Sequence, residues 1–259
     1  MMNRNLLCII TVTKDDTAGL ARTLSSAAGL RAAGAQHVVI DGGGDAVMTQ
    51  NVVAQFEDGI RVYARTPQGI ADAFNAGLAE ARGGWVWFLN GGDAVHEDLD
   101  ISWLLSLLRT TRADIVTGAL HFDGEPTPRR MPSLEYQWPL IACWLGHPVT
   151  LVRREVMARI GGFDPKWKIV MDYDLWNRLL GRNTVIDVVS VPFARFEVNG
   201  MSERKDTRLI ARREEAAVVL KYSWSMGCAV VRLGARLARR ITWAICRWLR
   251  LSGRKSRSL

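Results

Sequence analysis

The sequence predicts an α/β protein built on a mostly parallel, mixed sheet with helices on both faces. Three observations predict it. Short β-rich runs alternate with helical stretches through the first half of the 259 residues, and such alternation implies parallel pairing with right-handed crossovers. Two of the helical stretches end at glycines, Gly34 and Gly83-Gly84, as helices commonly do. The polar residues of this half, Thr11, Thr13, Asp41 and Asp93, gather at the carboxyl ends of the strands, beyond which open parallel sheets bind their ligands.

Taken in order, Leu6–Thr13 reads as a strand and Leu20–Ala33 as a helix stopped by Gly34. His37–Ile40 is a second strand running into Asp41-Gly-Gly-Gly44, followed by a helix over Val47–Phe56 and a strand over Ile60–Ala64. Ile70–Ala81 is helical, and Trp85–Leu89 is a strand that stops at Asn90-Gly-Gly-Asp93. The second half is less regular. It offers a helix over Leu99–Arg109, a strand over Ile115–Phe122, and a loop or set of short edge strands over Phe122–Pro139, which carries four prolines. Helices over Arg153–Ile160 and Met171–Leu180 follow, then strands over Thr184–Val191 and Phe193–Val198, and a long helix from near Glu203 to about Tyr222.

Composition narrows the function. The chain is 48% hydrophobic and 23% charged, the range of a folded globular protein. Its net charge of +8 is uneven: no Asp or Glu follows Glu215, and residues 221–259 carry ten Lys or Arg. The first 220 residues hold 24 basic against 26 acidic side chains. A near-neutral body argues against nucleic-acid binding, and the basic tail calls for an anionic partner of its own. Cys8, Cys143, Cys228 and Cys246 form no paired motif, so a reducing compartment is expected. Leu6–Val12 is too short for a secretory leader, and no apolar run reaches the ~20 residues of a membrane span.

Three segments carry chemistry. Gly42-Gly43-Gly44 lets backbone approach a ligand, and Asp41 can accept hydrogen bonds from a base or ribose, although a glycine turn after a strand is often only a turn. Phe88-Leu-Asn-Gly-Gly-Asp93 delivers a carboxylate on a glycine turn, which suits a divalent cation bridging a diphosphate, because Mg²⁺ needs only one or two protein carboxylates. Its alternative is Asp93 capping the next helix. In Met171-Asp-Tyr-Asp-Leu-Trp-Asn-Arg178, either Asp172 caps a helix with Asp174 as a first-turn acid, or one of the two deprotonates an acceptor hydroxyl. Helix geometry keeps the two from pointing the same way.

In order along the chain, these segments resemble the family 2 glycosyltransferases of the GT-A fold. The matching stretches are Ile10-Thr-Val-Thr13, Val39-Ile-Asp-Gly-Gly-Gly44, Gly69-Ile-Ala-Asp-Ala-Phe-Asn-Ala-Gly-Leu78, Phe88–Asp93, His147-Pro-Val-Thr150, Gly161-Gly-Phe-Asp164 and Asp172–Arg178. They span about residues 5–205, and the ordered series is more specific than any member. The subgroup it looks most like assembles bacterial surface polysaccharides and oligosaccharides. The resemblance implies an inverting, metal-dependent transfer from a nucleoside-diphosphate sugar, a UDP-sugar being favoured, with Mg²⁺ or Mn²⁺. It assigns Asp172 as general base, Asp93 to the metal and donor, and Asp41 to the nucleoside. Thr11 and Thr13 flank the nucleobase, Asp72 and Asn75 line the diphosphate and sugar, and His147 opens the acceptor side; a lone His before Pro is otherwise a structural hydrogen bonder. Asn90, Ala46, Pro67 and Met171 depart from the family pattern.

The implied organisation is a catalytic domain over 1–215, with a nucleotide half 1–98 and an acceptor half 99–215, and a basic helical tail over 216–259. From Met226 onward, apolar residues recur at spacings of three and four with arginines mostly on the opposite face, and Trp243 and Trp248 suit a headgroup boundary. This amphipathic helix would dock residues 224–254 on an anionic membrane, or else pack on the catalytic domain or a partner subunit. A membrane anchor fits a saccharide or lipid-linked saccharide acceptor at the cytoplasmic face, with a peripheral location there. Two rivals remain. One is a degenerate transferase fold acting as a membrane-docked scaffold. The other is a nucleotidyltransferase, which calls for a Gly-rich basic N-terminal loop unlike Leu6–Gly19.

Overall fold

β1 (Leu7–Thr13) is buried along its whole length, as a strand covered on both faces must be. Its side chains alternate: Cys8, Ile10 and Val12 join one core cluster, Leu7 and Ile9 the other. In the computed structural model, residues 6–43, 46–56, 59–64, 67–128, 145–180, 184–196, 207–223 and 234 are described. β1 pairs in parallel with β2 (Gln36–Asp41) and β4 (Trp85–Asn90), and β2 with β3 (Ile60–Ala64). The register sets Thr13 beside Asp41 and Val12 beside Asn90. The polar ends of three strands therefore meet at one edge.

Among the described residues the remaining strands are β5 (Ala94–Val95), β6 (Ile115–Phe122), β7 (Thr150–Arg153) and β8 (Ile186–Phe196). The sheet runs β3-β2-β1-β4-β7-β6-β8-β5. β7 is antiparallel to β4 and β6, β8 is parallel to β6, and β5 is antiparallel to β8. The expected mixed, mostly parallel sheet is what forms. Helices α1 (Thr17–Ser26), α2 (Ala28–Ala32), α3 (Ala46–Val53), α4 (Ile70–Glu80), α5 (Ile101–Thr110), α6 (Arg154–Arg159), α7 (Met171–Leu180) and α8 (Arg208–Tyr222) complete the body. α4 and α7 cover one face through Phe74, Leu175 and Trp176; α2 and α5 cover the other through Leu30, Leu104 and Leu108. Trp85 and Trp87 are fully buried with their indole N–H groups satisfied, donating to Leu108 O at 2.9 Å and Pro148 O at 2.8 Å. Each such ring removes roughly 150–250 Å² from water without stranding a donor.

Several boundaries differ from the sequence reading, each for a physical reason. The single helix expected over Leu20–Ala33 is two. It starts early because Asp16 Oδ1 accepts from Gly19 N at 2.8 Å, and it breaks at Ala27, where Ser26 Oγ donates back to Thr23 O and accepts from Val95 N. β5 and β7 were not expected, being only two and four residues long. β8 is one strand rather than two; Pro192 is accommodated opposite Ala119, where the register with β6 shifts. The domain boundary expected after residue 215 falls inside α8, whose Val218 and Val219 are fully buried. The body therefore extends at least to Tyr222. Most of the Phe122–Pro139 segment and the amphipathic tail from Met226 lie outside the described residues, apart from Gly234.

Candidate active site

The turn after β4 is built from backbone. Gly91 N donates to Val12 O at 2.8 Å, Asn90 N to Asp93 Oδ2 at 3.1 Å, and Gly92 N to Gly19 O and Thr23 Oγ1 at 3.0 Å each. Gly92 takes φ +104, which a side chain would strain. Thr23 on α1 closes the turn by donating to Asp93 O at 2.6 Å. Asp93 is consequently held with its carboxylate only 2% exposed. It does not cap α5: that cap is Asp100, whose Oδ1 accepts from Trp103 N at 3.0 Å.

His147 stands between this turn and α7. It lies in a single 3₁₀ turn, His147–Val149, pinned by the Trp87 bond to Pro148 O, and its ring meets the edge of Phe74 at 5.8 Å. Nε2 is 3.0 Å from Asn90 Nδ2 and 4.0 Å from Asp93 Oδ2; Nδ1 is 3.6 Å from Asp172 Oδ2. With the Asn90 amide donating, Nε2 accepts and the ring proton sits on Nδ1, facing Asp172. The imidazole thus stands between the carboxylate of the strand turn and the carboxylate of the helix, within 4.0 Å of each.

The two aspartates of α7 separate cleanly. Asp172 is not the N-cap, since the helix begins at Met171; its Oδ1 accepts from Tyr173 N at 2.7 Å and its side chain is 29% exposed. Asp174 is 0% exposed and takes Arg178 Nε at 2.7 Å, Lys221 Nζ at 2.9 Å and Tyr222 OH at 2.8 Å. Burial alone would raise the Asp174 carboxyl, but the donors Lys221, Tyr222 and Arg178 outweigh it and hold the group below its usual value. Asp174 is a structural hub, and Asp172 faces His147.

On the nucleotide side, Asp41 ends β2 almost completely buried. Oδ1 accepts from Gly43 N at 2.8 Å, while Oδ2 has no partner among the described residues. A buried carboxylate oxygen without a donor is an available acceptor for a ligand N–H or O–H. Thr13, beside it, spends its hydroxyl on Asp16 O at 3.3 Å. Thr11 lies deeper: fully buried, its Oγ1 is 2.9 Å from His37 Nε2. His37 is pushed down to about 3 by burial and by Arg31, so this is a neutral pair inside the sheet layer rather than a wall of the site.

α4 supplies less than expected. Asp72, in the first turn, reaches back past the helix start, with Oδ2 accepting from Gln68 N at 3.1 Å. Asn75 spends both amide atoms on Phe163: Nδ2 donates to its carbonyl and Oδ1 accepts from its N–H, each at 2.8 Å. Gly162, at φ +70, could not carry a Cβ, which would lie 2.4 Å from Asn75 Oδ1. In this arrangement Asn75, expected on the donor side, ties α4 to the Gly161-Gly-Phe-Asp164 loop.

Among the described residues no group of three or more His, Cys, Asp or Glu is placed to hold a metal. A cation carried by a diphosphate does not need one. Asp93 and the buried, unpartnered Asn90 Oδ1 are two oxygens at the same turn, and they fit such an ion. Sequence reasoning recorded Asn90 only as a departure from a pattern. It missed Thr23 altogether, because a buried threonine in a helix carries no sequence signal.

Comparisons with known proteins bear on the family and the fold. The sequence model of the family described as Glycosyl transferase family 2 matches residues 8–178. An uncharacterised glycosyltransferase of Mycobacterium tuberculosis is 26% identical over 226 residues, covering 80% of each chain. A PGL/p-HBAD biosynthesis glycosyltransferase of Mycobacterium bovis is 24% identical over 187 residues, 65% of this chain and 67% of its own. S. aureus TarS residues 1–349 in complex with UDP share the fold at TM-score 0.66 and 15% identity, covering 92% of this chain and 72% of TarS. The complex of the same protein with UDP-GlcNAc gives TM-score 0.64, again at 15% identity, over 92% of this chain and 73% of TarS.

Proposed function

This chain belongs to glycosyl transferase family 2, and on that premise we propose that it transfers a sugar from a UDP-sugar to a hydroxyl of a saccharide or lipid-linked saccharide, with inversion at the anomeric carbon. The observation that carries the proposal is the line Asp93–His147–Asp172, with spacings of 4.0 and 3.6 Å. It joins the turn suited to a diphosphate to a part-exposed carboxylate suited to a base. The donor class is supported by the buried Asp41 oxygen, which can accept from a uracil or ribose, and by the relative TarS, whose structures contain UDP and UDP-GlcNAc.

In the proposed mechanism Asp172 accepts the proton of the acceptor hydroxyl as its oxygen attacks the anomeric carbon. The bond from that carbon to the diphosphate oxygen breaks, and UDP departs with the electron pair. One displacement by an acceptor on the opposite face inverts the centre. His147 orients Asp172, and Asn90 orients His147. Asp93, with Asn90 Oδ1, would hold Mg²⁺ or Mn²⁺, which supplies positive charge to the departing diphosphate. General-base assistance of this kind is worth about 10²–10⁴-fold in rate.

The proposal extends to location. α8 exposes Leu209 and Leu220 and leads toward the basic segment 224–254. Among the described residues no helix is long and apolar enough to cross a membrane. A peripheral position on the cytoplasmic membrane face, held at about 1 kcal/mol per basic residue, would bring the site to a lipid-linked acceptor.

A screen of UDP-sugars with and without Mn²⁺, read as UDP release, tests the reaction; no release from any donor, with or without saccharide acceptors, would overturn it. Deletion of residues 224–259 should abolish sedimentation with anionic liposomes and leave UDP binding intact. Retention of the truncated chain on those liposomes removes the anchor.

A further inference from the structure

The segment leading into α7 is held from outside. Lys168 N donates to Glu214 Oε1 at 2.9 Å, and Ile169 N and Val170 N donate to Glu214 Oε2 at 2.9 and 3.2 Å. Three consecutive N–H groups thus share one carboxylate that lies 44 to 46 residues further along the chain. Helix starts are ordinarily satisfied by a local Ser, Thr, Asp or Asn. The three N–H groups precede Met171, so Glu214 binds the segment entering α7 rather than the first turn itself, where Tyr173 N is taken by Asp172 Oδ1. A negative group at this end is also favoured by the helix dipole.

The same helix reaches α7 a second time. Lys221 and Tyr222, seven and eight residues beyond Glu214, bond Asp174 Oδ1 at 2.9 and 2.8 Å. α8 therefore grips the chain on either side of Asp172: at 168–170, just ahead of α7, and at 174 within it. Asp172 lies between the two grips, turned toward His147 at 3.6 Å. The Asp174 grip fixes the body of the helix. The Glu214 grip fixes where the helix begins and hence how Asp172 is aimed.

We propose that Glu214 is a positioning residue for the reaction: by binding the three N–H groups ahead of α7 it sets the direction of Asp172. This rests on the reading of Asp172 as the general base. Glu214 does not touch substrate. Releasing the segment entering α7 displaces the base without disturbing the strand ends at Asp41 and Asn90–Asp93. A misplacement of about 1 Å in such a group can cost roughly 10²-fold in rate.

The test uses the full chain and the UDP-sugar selected by the screen, with UDP as the binding probe. E214A, E214Q and D172N are compared by UDP release, normalised to the number of UDP-binding sites counted by calorimetry, so that unfolded molecules do not enter kcat. E214A should lower kcat about ten- to hundredfold while Kd for UDP and KM for the donor stay within about twofold. E214Q, which keeps one carbonyl acceptor, should recover part of that loss. Amide hydrogen exchange over 168–175 should quicken in both Glu214 variants, a readout that needs no turnover.

Wild-type kcat in E214A beside an inactive D172N overturns the positioning role and spares the base. Wild-type activity in D172N overturns the base assignment itself. Unchanged exchange over 168–175 in both Glu214 variants overturns the grip, and an E214A loss confined to KM and Kd overturns the claim that Glu214 acts through Asp172.

Discussion

The turn that closes β4 and the first turn of α7 both present an aspartate to His147, but they are supported in opposite ways. Asp93 is held by the parallel layer around it: Gly92 N–H bonds to α1, Gly91 N–H bonds to β1, and Thr23 closes the turn. Asp172 is held by a helix whose start is bound by Glu214 and whose next carboxylate, Asp174, is bound by Lys221 and Tyr222, all on α8. One region is rigid through backbone and buried against the sheet. The other stays part exposed and depends on a helix late in the chain. A diphosphate site gains from fixed, buried oxygens, whereas a base must remain open to an incoming hydroxyl.

The contrast can be broken most forcefully at Asp172. D172N should lower turnover by about 10³-fold, within the range for loss of a general base, and leave UDP affinity within about twofold by calorimetry. A variant that turns over normally would move the base elsewhere. Next in size is Asp174, where the effect should fall on stability. D174A leaves Arg178 and Lys221 without their buried partner and should cost about 3–5 kcal/mol, read as a lower urea midpoint.

The same residue predicts a pH dependence. Its carboxyl is held below the usual value in the folded protein, so its contribution is present above the unfolded pKa of about 3.9 and is lost as pH falls through the folded value. D174N should therefore flatten the acid limb of the stability curve, and an unchanged limb would assign that slope to other groups.

Smaller effects sharpen the comparison. D93A should remove a charge-assisted contact worth about 1.5–3 kcal/mol and weaken Mn²⁺-dependent UDP binding about ten- to hundredfold, with little change in binding measured in EDTA. Equal loss with and without Mn²⁺ would assign Asp93 to the turn rather than to the ion. N75A cuts two bonds to Phe163 and should cost about 1–3 kcal/mol of stability while sparing UDP affinity. The reverse pattern would restore Asn75 to the donor site.

The strands of the nucleotide half were legible because a buried parallel strand writes itself as an apolar run ending in a polar residue, as Trp85–Leu89 before Asn90 does. β5 and β7 escaped notice, being too short to show a period. Asp41, Asp93, His147 and Asp172 all lie in the ordered motifs, and the structure gathers the last three around one ring. Thr11 and Asn75 share those motifs, but their side chains bond His37 and Phe163, partners that adjacency in the chain does not reveal.

By itself the sequence determined the strand and helix pattern of the nucleotide half, the turn that carries Asp93, and the nomination of two aspartates on α7, since these rest on periodicity and on residues adjacent in the chain. Only the tertiary structure distinguished the surroundings of Asp172 from those of Asp174. Their difference lies in what surrounds them: His147 comes from before β7, whereas Lys221 and Tyr222 come from α8. It also brought Glu214 to the start of α7. Contacts between residues so far apart in the chain depend on how helices dock, and docking is settled by the packing of the whole core.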